Sequence, residues 1–388
     1  MDRRQSAGPA PAGYSLPAGL TEGMKVVVQI DEGGVGVVER LAQEWRELCE
    51  EEASNDPCGR PEWVAAYVSA FEPQGTVLVI AARVDGRLRA ILPLLRKRAR
   101  LKSLPFRKLT TSTTLGVTRF DLVRSSGAEG DAATAALWDA LKGMAGWDML
   151  ELGSAIVRSP LEHLAIKARE DGWLATCRAT QSFPYIPIPA WDPNVTFPIE
   201  PDNKRKRREL RKVMRDLGPY PGRLKLLSVE TADQEAIERF CGLESAGWKG
   251  KEKSAINSVP AIKRYYTELI KNAAQFGYLK MYELYLDNRY IAGHIGVEYH
   301  DKYLSPKVAY DEHYDHYSPG HLILLLILQN CARRGLVEYD SLGDVAEWKS
   351  KWTSNVRERR TWRILRPTLY GRLLFAAALW KGSVRKQS

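Results

Sequence analysis

The most regular alternation of hydrophobic and polar positions lies between Leu279 and Leu342. Two alternating stretches joined by a turn at Asp287-Asn288-Arg289 predict a β-hairpin with the sequence LKMYELYLDNRYIAGHIGVEYH. A third strand, DKYLSPKVAY, and a polar turn follow. The apolar segment HLILLLILQNCARR then predicts a buried helix, and LVEYDSL predicts a last strand. The pattern therefore predicts the order strand, strand, strand, helix, strand.

The first half of the chain repeats this order of elements. The segment VLVIAARVDGRLRAILPLLRK predicts a hairpin with its turn at Asp85-Gly86-Arg87, a helix is predicted near Ala132–Ala145, and WDMLELG predicts the strand after it. Because a repeated element order is typical of structural duplication, we predict two domains, residues 24–185 and 203–365. The expected fold class is α/β (α+β), with mixed, mostly antiparallel sheets flanked by helices. Chance similarity of two α/β halves is the alternative.

Three segments lie outside the two predicted domains. Residues 186–202 are rich in proline and predict a linker or a strand that crosses between domains. Residues 1–23 are rich in Pro, Ala and Gly, lack the apolar core of a signal peptide, and predict disorder. Residues 366–388 form an apolar and then basic tail that is too short to span a bilayer. This tail suits either an interfacial amphipathic helix or a terminal helix packed on the domain.

The net charge of +10 over 388 residues favours an anionic partner, such as a nucleotide cofactor, RNA or an anionic membrane surface. Basic residues concentrate in Arg96–Lys102 and in the predicted helix Lys204–Leu217. Both runs suit solvated faces and lack the interleaved aromatic residues of single-strand nucleic-acid sites, which disfavours nucleic acid. The five scattered cysteines fit neither a zinc site nor a disulfide framework, so we expect a reducing cytoplasm and no metal.

The start of the long apolar helix is a candidate phosphate-binding site. Ser318 is a favoured N-cap, Pro319 is favoured at the first helical position, and Gly320 has no side chain to block a ligand. The backbone N–H groups of Gly320, His321 and Leu322 are then expected to be free at the positive end of the helix. The alternative is a well-capped buried helix without a ligand.

The strand Tyr303–Tyr310 is predicted to be incompletely paired. Pro306 cannot donate a hydrogen bond to a neighbouring strand, so pairing along the full length of this strand is excluded. A gap between two strands, a bulge and a free sheet edge are all compatible with this proline.

Several motifs together resemble the GNAT-type acetyltransferases of the CelD-like group, which are associated with cellulose and exopolysaccharide synthesis and are related to Fem-type peptidoglycan ligases. The motifs are DGRLRAILPLL, WDMLEL, RELRKVMRDL, LESAGWKG, DNRYIAGHIGV, AYDEHYDHYSPGHLIL, and EYDSLGD followed by WKSKW. They extend from about residue 40 to about residue 360. The resemblance implies two tandem GNAT folds, of which the second is active with acetyl-CoA or another acyl-CoA as donor. The chain departs from the usual pyrophosphate loop, Q/R-x-x-G-x-G/A, because Tyr317–His321 reads YSPGH.

The resemblance also implies roles for strand residues. In GNAT folds two strands separate and the amides of the donor pair in the gap, which assigns Val308 and Ala309 to donor binding. Many GNATs use a strand carboxylate near the thioester, so Glu298 is the first candidate base. His294 lies on the same predicted face, roughly 13 Å from Glu298, and is either a base acting through water or a core histidine. Tyr310 is the candidate acid for the departing thiolate.

Two clusters are expected to bind the acceptor. The segment Glu244–Gly250 overlies the acceptor in the resembling fold, and it supplies Glu244, Trp248 and Lys249; Trp248 also suits a purely structural role. The second cluster follows the last strand, where a lysine between tryptophans suits an anionic or sugar-bearing substrate, although an ordinary surface lysine is the alternative. The cluster comprises Asp340, Asp344, Trp348, Lys349 and Trp352, and we expect Asp340, Lys349 and Trp352 to bind the substrate.

We therefore predict an acyl-CoA-dependent acyltransferase that modifies an amine or hydroxyl of a sugar-bearing cell-envelope or exopolysaccharide precursor. It is expected in the cytoplasm, with peripheral contact at the inner membrane face as a further expectation. A Fem-like aminoacyl-tRNA-dependent ligase is the alternative enzyme. The basic charge and the missing pyrophosphate motif favour it, whereas residues 219–278 lack the heptads of a Fem-type helical arm. A non-catalytic scaffold of a polysaccharide synthase is the third possibility.

Overall fold

The computed structural model describes residues 23–52, 56–73, 75–113, 120–180, 182–195 and 199–384. The strands are β1 (Val26–Gly33), β2 (Val77–Val84), β3 (Arg87–Leu101), β4 (Leu104–Thr110), β5 (Val123–Arg124), β6 (Met149–Ile156), β7 (Leu174–Ala179), β8 (Phe183–Pro187), β9 (Leu224–Val229), β10 (Met281–Leu286), β11 (Arg289–Tyr299), β12 (Lys302–Tyr310), β13 (Glu338–Asp340), β14 (Val356–Arg357) and β15 (Arg359–Leu365). The helices are α1 (Gly36–Glu51), α2 (Pro61–Phe71), α3 (Gly127–Gly143), α4 (Pro160–Glu170), α5 (Lys204–Leu217), α6 (Gln234–Ala246), α7 (Trp248–Lys251), α8 (Pro260–Gln275), α9 (Pro319–Arg333), α10 (Glu347–Ser350) and α11 (Leu369–Val384).

Two mostly antiparallel sheets with matching topology confirm the predicted fold class. The first sheet has the order β1-β2-β3-β4-β6-β15-β7, with β5 paired to β3, and the second has the order β9-β10-β11-β12-β13-β8-β14. Each sheet has one parallel contact, β4 with β6 and β12 with β13, at the same place in its order. Alternating strand residues face helices on both sides, which is why these strands read as nearly continuous apolar runs.

The two halves exchange one strand each, so the predicted domain limits do not follow the sheets. β8 begins inside the predicted first domain but pairs with β13 and β14 of the second sheet. β15 lies inside the predicted second domain but pairs with β6 and β7 of the first sheet. The predicted linker 186–202 therefore begins with the last residues of β8, and its residues 196–198 lie outside the described part of the chain.

A continuous core joins the halves. Trp63 and Tyr67 of α2 belong to the same buried cluster as Tyr265 and Leu269 of α8. Beside this cluster the buried guanidinium of Arg60 contacts the Glu62 carboxylate at 3.2 Å and donates to the Tyr299 hydroxyl at 3.1 Å. Because a buried charge needs compensating partners, this arrangement fixes the first half against the end of β11.

The second sheet opens where β12 leaves β13. Their pairing covers only Lys302–Leu304 against Glu338–Asp340, whereas β12 continues to Tyr310. In the pairing of β11 with β12, Ile295 lies opposite Lys307 and Val297 lies opposite Leu304. Ser305 and Pro306 therefore face the single residue Gly296 and form a bulge. The predicted break in pairing is present, and Pro306 lies at both a bulge and a free edge.

The corresponding place in the first sheet is closed. After the parallel contact of β4 with β6, Thr111 N donates to Glu151 O at 3.1 Å and Gly153 N donates to Thr111 Oγ1 at 2.9 Å. Gly153 approaches Ser112 so closely that an added Cβ atom would lie 1.9 Å from Ser112 Oγ. In the first half, the chain therefore fills the space that stays open in the second half.

The tail forms a helix packed on the first sheet. Leu374 of α11 is buried against Met149 and Leu365, while Leu369 and Leu373 are 89% and 51% exposed. No helix among the described residues is long and apolar enough to cross a membrane. The disorder predicted for residues 1–23 falls, apart from Gly23, outside the described residues.

Candidate functional site

A cavity of about 530 Å³ occupies the gap beside β12. Its walls come from β12, the start of α9, the α6–α7 connection and the segment after β13. Its lining residues are Lys206, Leu243, Glu244, Gly247, Trp248, Lys249, Ser305, Pro306, Lys307, Val308, Ala309, Tyr310, Asp315, Ser318, Pro319, Gly320, His321, Tyr339, Ser341, Leu342, Gly343, Ala346, Trp348 and Lys349.

Most of the residues predicted from the sequence meet in this cavity. They are Glu244, Trp248, Lys249, Val308, Ala309, Tyr310, Ser318, Pro319, Gly320, His321 and Lys349. Five predicted residues are absent from its lining: His294, Glu298, Leu322, Asp340 and Trp352.

The amides expected to be free at the start of α9 are largely engaged. His321 N and Leu322 N both donate to Ser318 O at 2.9 Å, and Pro319 has no N–H. Of the predicted set this leaves the Gly320 amide. The expectation of three free N–H groups is wrong because the carbonyl oxygen of Ser318 accepts the hydrogen bonds of the first helical turn.

Ser318 does not act as the predicted side-chain cap. Its φ of 51° places it in the left-handed region, and its side chain makes no capping hydrogen bond. Its hydroxyl instead donates to the Glu209 carboxylate, and Lys206 Nζ donates to Ser318 Oγ at 3.3 Å. Helix α5 therefore brings one carboxylate and one ammonium group to the start of α9.

Gly320 makes a close contact with Tyr310. A Cβ atom at position 320 would lie 3.0 Å from Cδ1 of the Tyr310 ring. Burial raises the pKa of Tyr310, with smaller contributions in the same direction from Asp315 and Glu312. The phenol therefore stays protonated at neutral pH, as a proton donor requires, and its ring packs against the start of α9.

The free edge of β12 directs backbone groups into the cavity. Asp311 N donates to Ile291 O at 2.9 Å, which marks a hydrogen-bonded pair with β11. Because such pairs alternate along an antiparallel ladder, the N–H and C=O groups of Val308 and Tyr310 point away from β11. Lys249 Nζ donates to Val308 O at 2.6 Å, in agreement with this direction.

Glu244 holds two lysines beside the cavity. Its fully buried carboxylate accepts from Lys249 Nζ and Lys307 Nζ, each at 3.2 Å, and from Ile256 N at 2.7 Å. Burial lowers the pKa of Lys249, and the charge of Glu244 opposes that shift. Glu244 thus orders the ammonium groups of the wall, and Trp248, 45% exposed, lies at the rim.

Glu298 is not brought to the cavity. Its carboxylate accepts from Arg334, just after the C-terminal end of α9, at 2.7 Å. Burial raises the pKa of Glu298, while Arg334 and Lys280 oppose the shift. The predicted first candidate base therefore makes a structural ion pair.

His294 is a buried histidine that reaches the cavity through a neighbour. It is 1% exposed, and its Nδ1 lies 3.0 Å from Ser305 Oγ. Burial lowers the pKa of His294 to about 3, and the charge of Lys249 adds to that shift. The imidazole is therefore neutral at physiological pH and touches the lining residue Ser305.

Of the cluster predicted around the last strand, Trp348 and Lys349 line the cavity. Asp340 accepts from Leu342 N at 2.8 Å and from Arg357 at 3.0 Å, which fixes the loop and β14. Trp352 is buried, and its Nε1 donates to His321 Nδ1 at 2.8 Å. Burial lowers the pKa of Lys349 to about 8 against the opposing charges of Asp340 and Asp344.

Sequence reasoning missed Lys206, Ser305 and Tyr339 as lining residues. Lys206 is one of many basic residues in α5, and nothing in its local pattern distinguishes it. Ser305 had a usable signal, because it precedes the proline that marks the break in pairing. Among the described residues, no group of three or more His, Cys, Asp or Glu side chains could hold a metal ion.

Residues 204–350 match the acetyltransferase (GNAT) domain family. The matched segment contains α5 to α10 and the whole open edge of β12, but neither of the exchanged strands. None of the curated proteins compared matches the chain. The GNAT domain supports an acyltransferase.

Solved structures similar to this chain extend the comparison to both halves. The similarity to a structure of FemX extends over 86% of this chain and 98% of the FemX chain, with 13% identity and a TM-score of 0.57. The C-terminal DUF2156 domain assigned to a lysylphosphatidylglycerol synthetase of Agrobacterium fabrum covers 88% and 96%, with 12% identity and a TM-score of 0.51. A Bacteroides thetaiotaomicron VPI-5482 protein of unknown function covers 88% and 100%, with 9% identity and a TM-score of 0.52. These similarities establish a shared fold across both halves.

Proposed function

We propose that the protein transfers an acyl group from acyl-CoA to an amine or hydroxyl acceptor within the cavity beside β12. The open edge of β12 carries this proposal. A pantetheine arm contains two amides, and the outward backbone groups of Val308 and Tyr310 are complementary to them. Lys249 occupies the Val308 carbonyl at 2.6 Å, so donor binding requires this amine to move.

The opposite wall suits a sugar-bearing acceptor of cell-envelope or exopolysaccharide type. Lys349 Nζ lies 5.6 Å from the centre of the Trp348 ring, which places an apolar face and an amine side by side. Since the pKa of Lys349 is lowered to about 8 by burial, a substantial fraction of its amine is neutral near pH 8. Lys349 is therefore better placed than Glu298 to accept the proton of the attacking group.

Calorimetric titration of the purified protein with acetyl-CoA, longer acyl-CoAs and free CoA tests the donor. We expect binding at one site per chain, because the corresponding gap of the first sheet is closed. Transfer is then measured as loss of acyl-CoA in the presence of amino sugars or hydroxylamine. Absence of binding at high micromolar concentration overturns the acyl-CoA donor.

A Fem-like, aminoacyl-tRNA-dependent ligase is the second candidate, and the start of α9 favours it. The amides that would bind a pyrophosphate are engaged by Ser318 O, and Glu209 places a carboxylate there. Helix α5 next to it exposes Lys204, Arg205, Arg208 and Lys212. Retention of charged tRNA on filters, together with indifference to CoA, would select this donor.

Peripheral contact with an anionic membrane belongs to the same proposal. The exposed leucines of α11, Leu369 and Leu373, lie one helical turn apart, and Arg372 beside them is exposed. Sedimentation with anionic vesicles should retain the protein, and L369D/L373D should abolish retention. The matched control is Leu227→Asp, since Leu227 is an exposed leucine on β9. Equal retention of all three proteins would contradict membrane contact.

A further inference from the structure

Ser305 lies where the two central strands of the second sheet separate. The last register pair of β12 with β13 is Leu304 with Asp340, so Ser305 is the first residue of β12 beyond their pairing. The residue is 6% exposed and still lines the cavity. Its hydroxyl is therefore a polar group at the fork between the strands, protected from bulk water.

Two buried side chains hold this hydroxyl. His294 Nδ1 lies 3.0 Å from Ser305 Oγ. The second neighbour is Tyr339. Burial raises the pKa of Tyr339, and a hydrogen bond with Ser305 opposes that shift. Both neighbours are almost completely buried. Ser305 thus has a fixed position, as a group that acts on a transition state requires.

We propose that the Ser305 hydroxyl donates a hydrogen bond to the acyl carbonyl oxygen as that oxygen becomes an oxyanion. This role rests on the proposed acyl transfer. Attack by the acceptor nitrogen or oxygen forms a bond to the acyl carbon and moves the carbonyl π electrons onto oxygen. When the C–S bond breaks, the carbonyl reforms and the thiolate leaves, while the proton of the attacking group passes to the neutral amine of Lys349. Ser305 keeps its proton throughout.

His294 sets the direction of the Ser305 proton. A neutral imidazole has one N–H group, and His294 remains neutral because it is buried. When Nδ1 carries the hydrogen, His294 donates to Ser305 Oγ, and the serine proton is left for the cavity provided that the Tyr339 hydroxyl also donates to Ser305 Oγ. The opposite tautomer would take the serine proton itself. The proposal therefore requires the Nδ1–H tautomer, with His294 as a positioning residue.

The location also suits charge stabilisation. Lys249 lies near enough to influence the pKa of His294, and Lys307 is two residues from Ser305 on the same strand. These two ammonium groups share the single carboxylate of Glu244. An oxyanion at the fork would therefore lie in a region of excess positive charge.

The test uses full-length protein, with acetyl-CoA as donor and hydroxylamine as a small nucleophilic acceptor. Product is measured as acetohydroxamate, and donor affinity is measured separately by calorimetry. We expect Ser305→Ala to lower kcat about 100-fold, as removal of one oxyanion donor does elsewhere, with the Kd for acetyl-CoA within about threefold. Ser305→Thr keeps the hydroxyl and should retain most activity. Ser228→Ala removes an exposed hydroxyl from β9 and serves as control.

A double substitution separates positioning from mere structural support. Because His294 acts only through Ser305, S305A/H294L should be no slower than Ser305→Ala alone. His294→Asn retains an N–H donor and should be faster than His294→Leu. If Ser305→Ala fails to fold, Ser305→Cys, which has nearly the same shape but a weak donor, should show the same loss.

Two results overturn the inference in distinguishable ways. If the wild type turns over and the kcat of Ser305→Ala or Ser305→Cys lies within threefold of the wild-type kcat, the hydroxyl is excluded as oxyanion donor. The proposed function is then unaffected. A wild-type protein that neither binds nor consumes acetyl-CoA removes the proposed donor, and the role of Ser305 on that donor falls with it.

Discussion

Buried charge is the main physical constraint on single residues of the cavity. Glu244 has no exposed side-chain surface, yet it lies beside two lysines that are only 15–17% exposed. Ion pairs of this kind are costly to desolvate, so the loss of one partner leaves the others uncompensated. The pattern ESAGWKG marked Glu244 and Lys249 as site residues, and the structure adds that the carboxylate positions the lysines.

Glu244→Gln should destabilise the protein by about 3 kcal/mol, because a neutral amide leaves two buried ammonium groups without a counter-charge. The matched control is Glu235→Gln on the same helix, because the Glu235 carboxylate is 86% exposed. This substitution should change the free energy of unfolding by less than about 0.5 kcal/mol. Urea unfolding followed by circular dichroism gives both values. Equal effects of the two substitutions would contradict the structural role of Glu244.

Lys349 should react as an amine at lower pH than other lysines. Burial lowers its pKa from 10.5 to about 8, and only the neutral amine is nucleophilic, so its acetylation by acetic anhydride should rise with a midpoint near pH 8. Lys251, whose pKa is raised by its hydrogen bond with Glu312, is the control and should react only at higher pH. Peptide mass spectrometry quantifies both sites. A midpoint above pH 10 for Lys349 would exclude it as a base near neutrality.

Contacts between elements decide what the start of α9 can bind. Helix α5 lies against it, and Lys206 is bound to both Glu209 and Ser318. The apolar residues of α5, Leu210, Val213, Met214 and Leu217, are buried as their helical spacing predicts. Which basic residue of α5 meets the cavity follows from how the helix packs, and the periodicity does not contain that information.

Glu209→Gln should tighten acetyl-CoA binding about 3- to 10-fold if donor phosphates lie at the start of α9, because the substitution removes a repulsive charge and frees Lys206. Lys206→Met should weaken binding by a similar factor. Arg215→Met on the exposed end of the same helix is the control. Calorimetry with no change in either variant would place the phosphates elsewhere on the protein.

At the scale of the whole molecule, the reciprocal exchange of β8 and β15 makes each half depend on the other. β15 fills the position between β6 and β7 and buries Trp362, Ile364 and Leu365. β8 fills the equivalent position beside β13. The halves therefore share one topology, but neither has a complete sheet made from its own consecutive residues.

A chain that ends at residue 358 should lose cooperative unfolding of the first half, because it loses about 6 kcal/mol of side-chain burial and leaves β7 unpaired. A chain that ends at residue 367 keeps β15 and lacks α11, and should lose only about 2 kcal/mol, because Leu374 is removed and Met149 and Leu365 become exposed. Denaturant unfolding distinguishes the two proteins. Equal stability would contradict the structural importance of the exchanged strand.

The sequence by itself determined the elements and their repeated order. Alternation in Tyr290–Tyr299, helical spacing in α5 and the long apolar run of α9 depend on neighbouring residues, and the observed elements match these patterns. Pro306 likewise indicated the break in pairing, because the missing N–H is a property of that residue alone. The motifs around Lys249, Tyr310 and Lys349 were sufficient to select three residues of one cavity.

Only the tertiary structure decided what depends on distant partners. The pairing of β8 and β15 joins residues far apart in the chain, and the ion pair of Glu298 with Arg334 withdraws the expected base from the cavity. The hydroxyl of Ser318 binds Glu209 and Lys206 of α5 and does not cap α9. Local patterns set which way a strand residue faces, whereas its partners are set by how the whole chain packs.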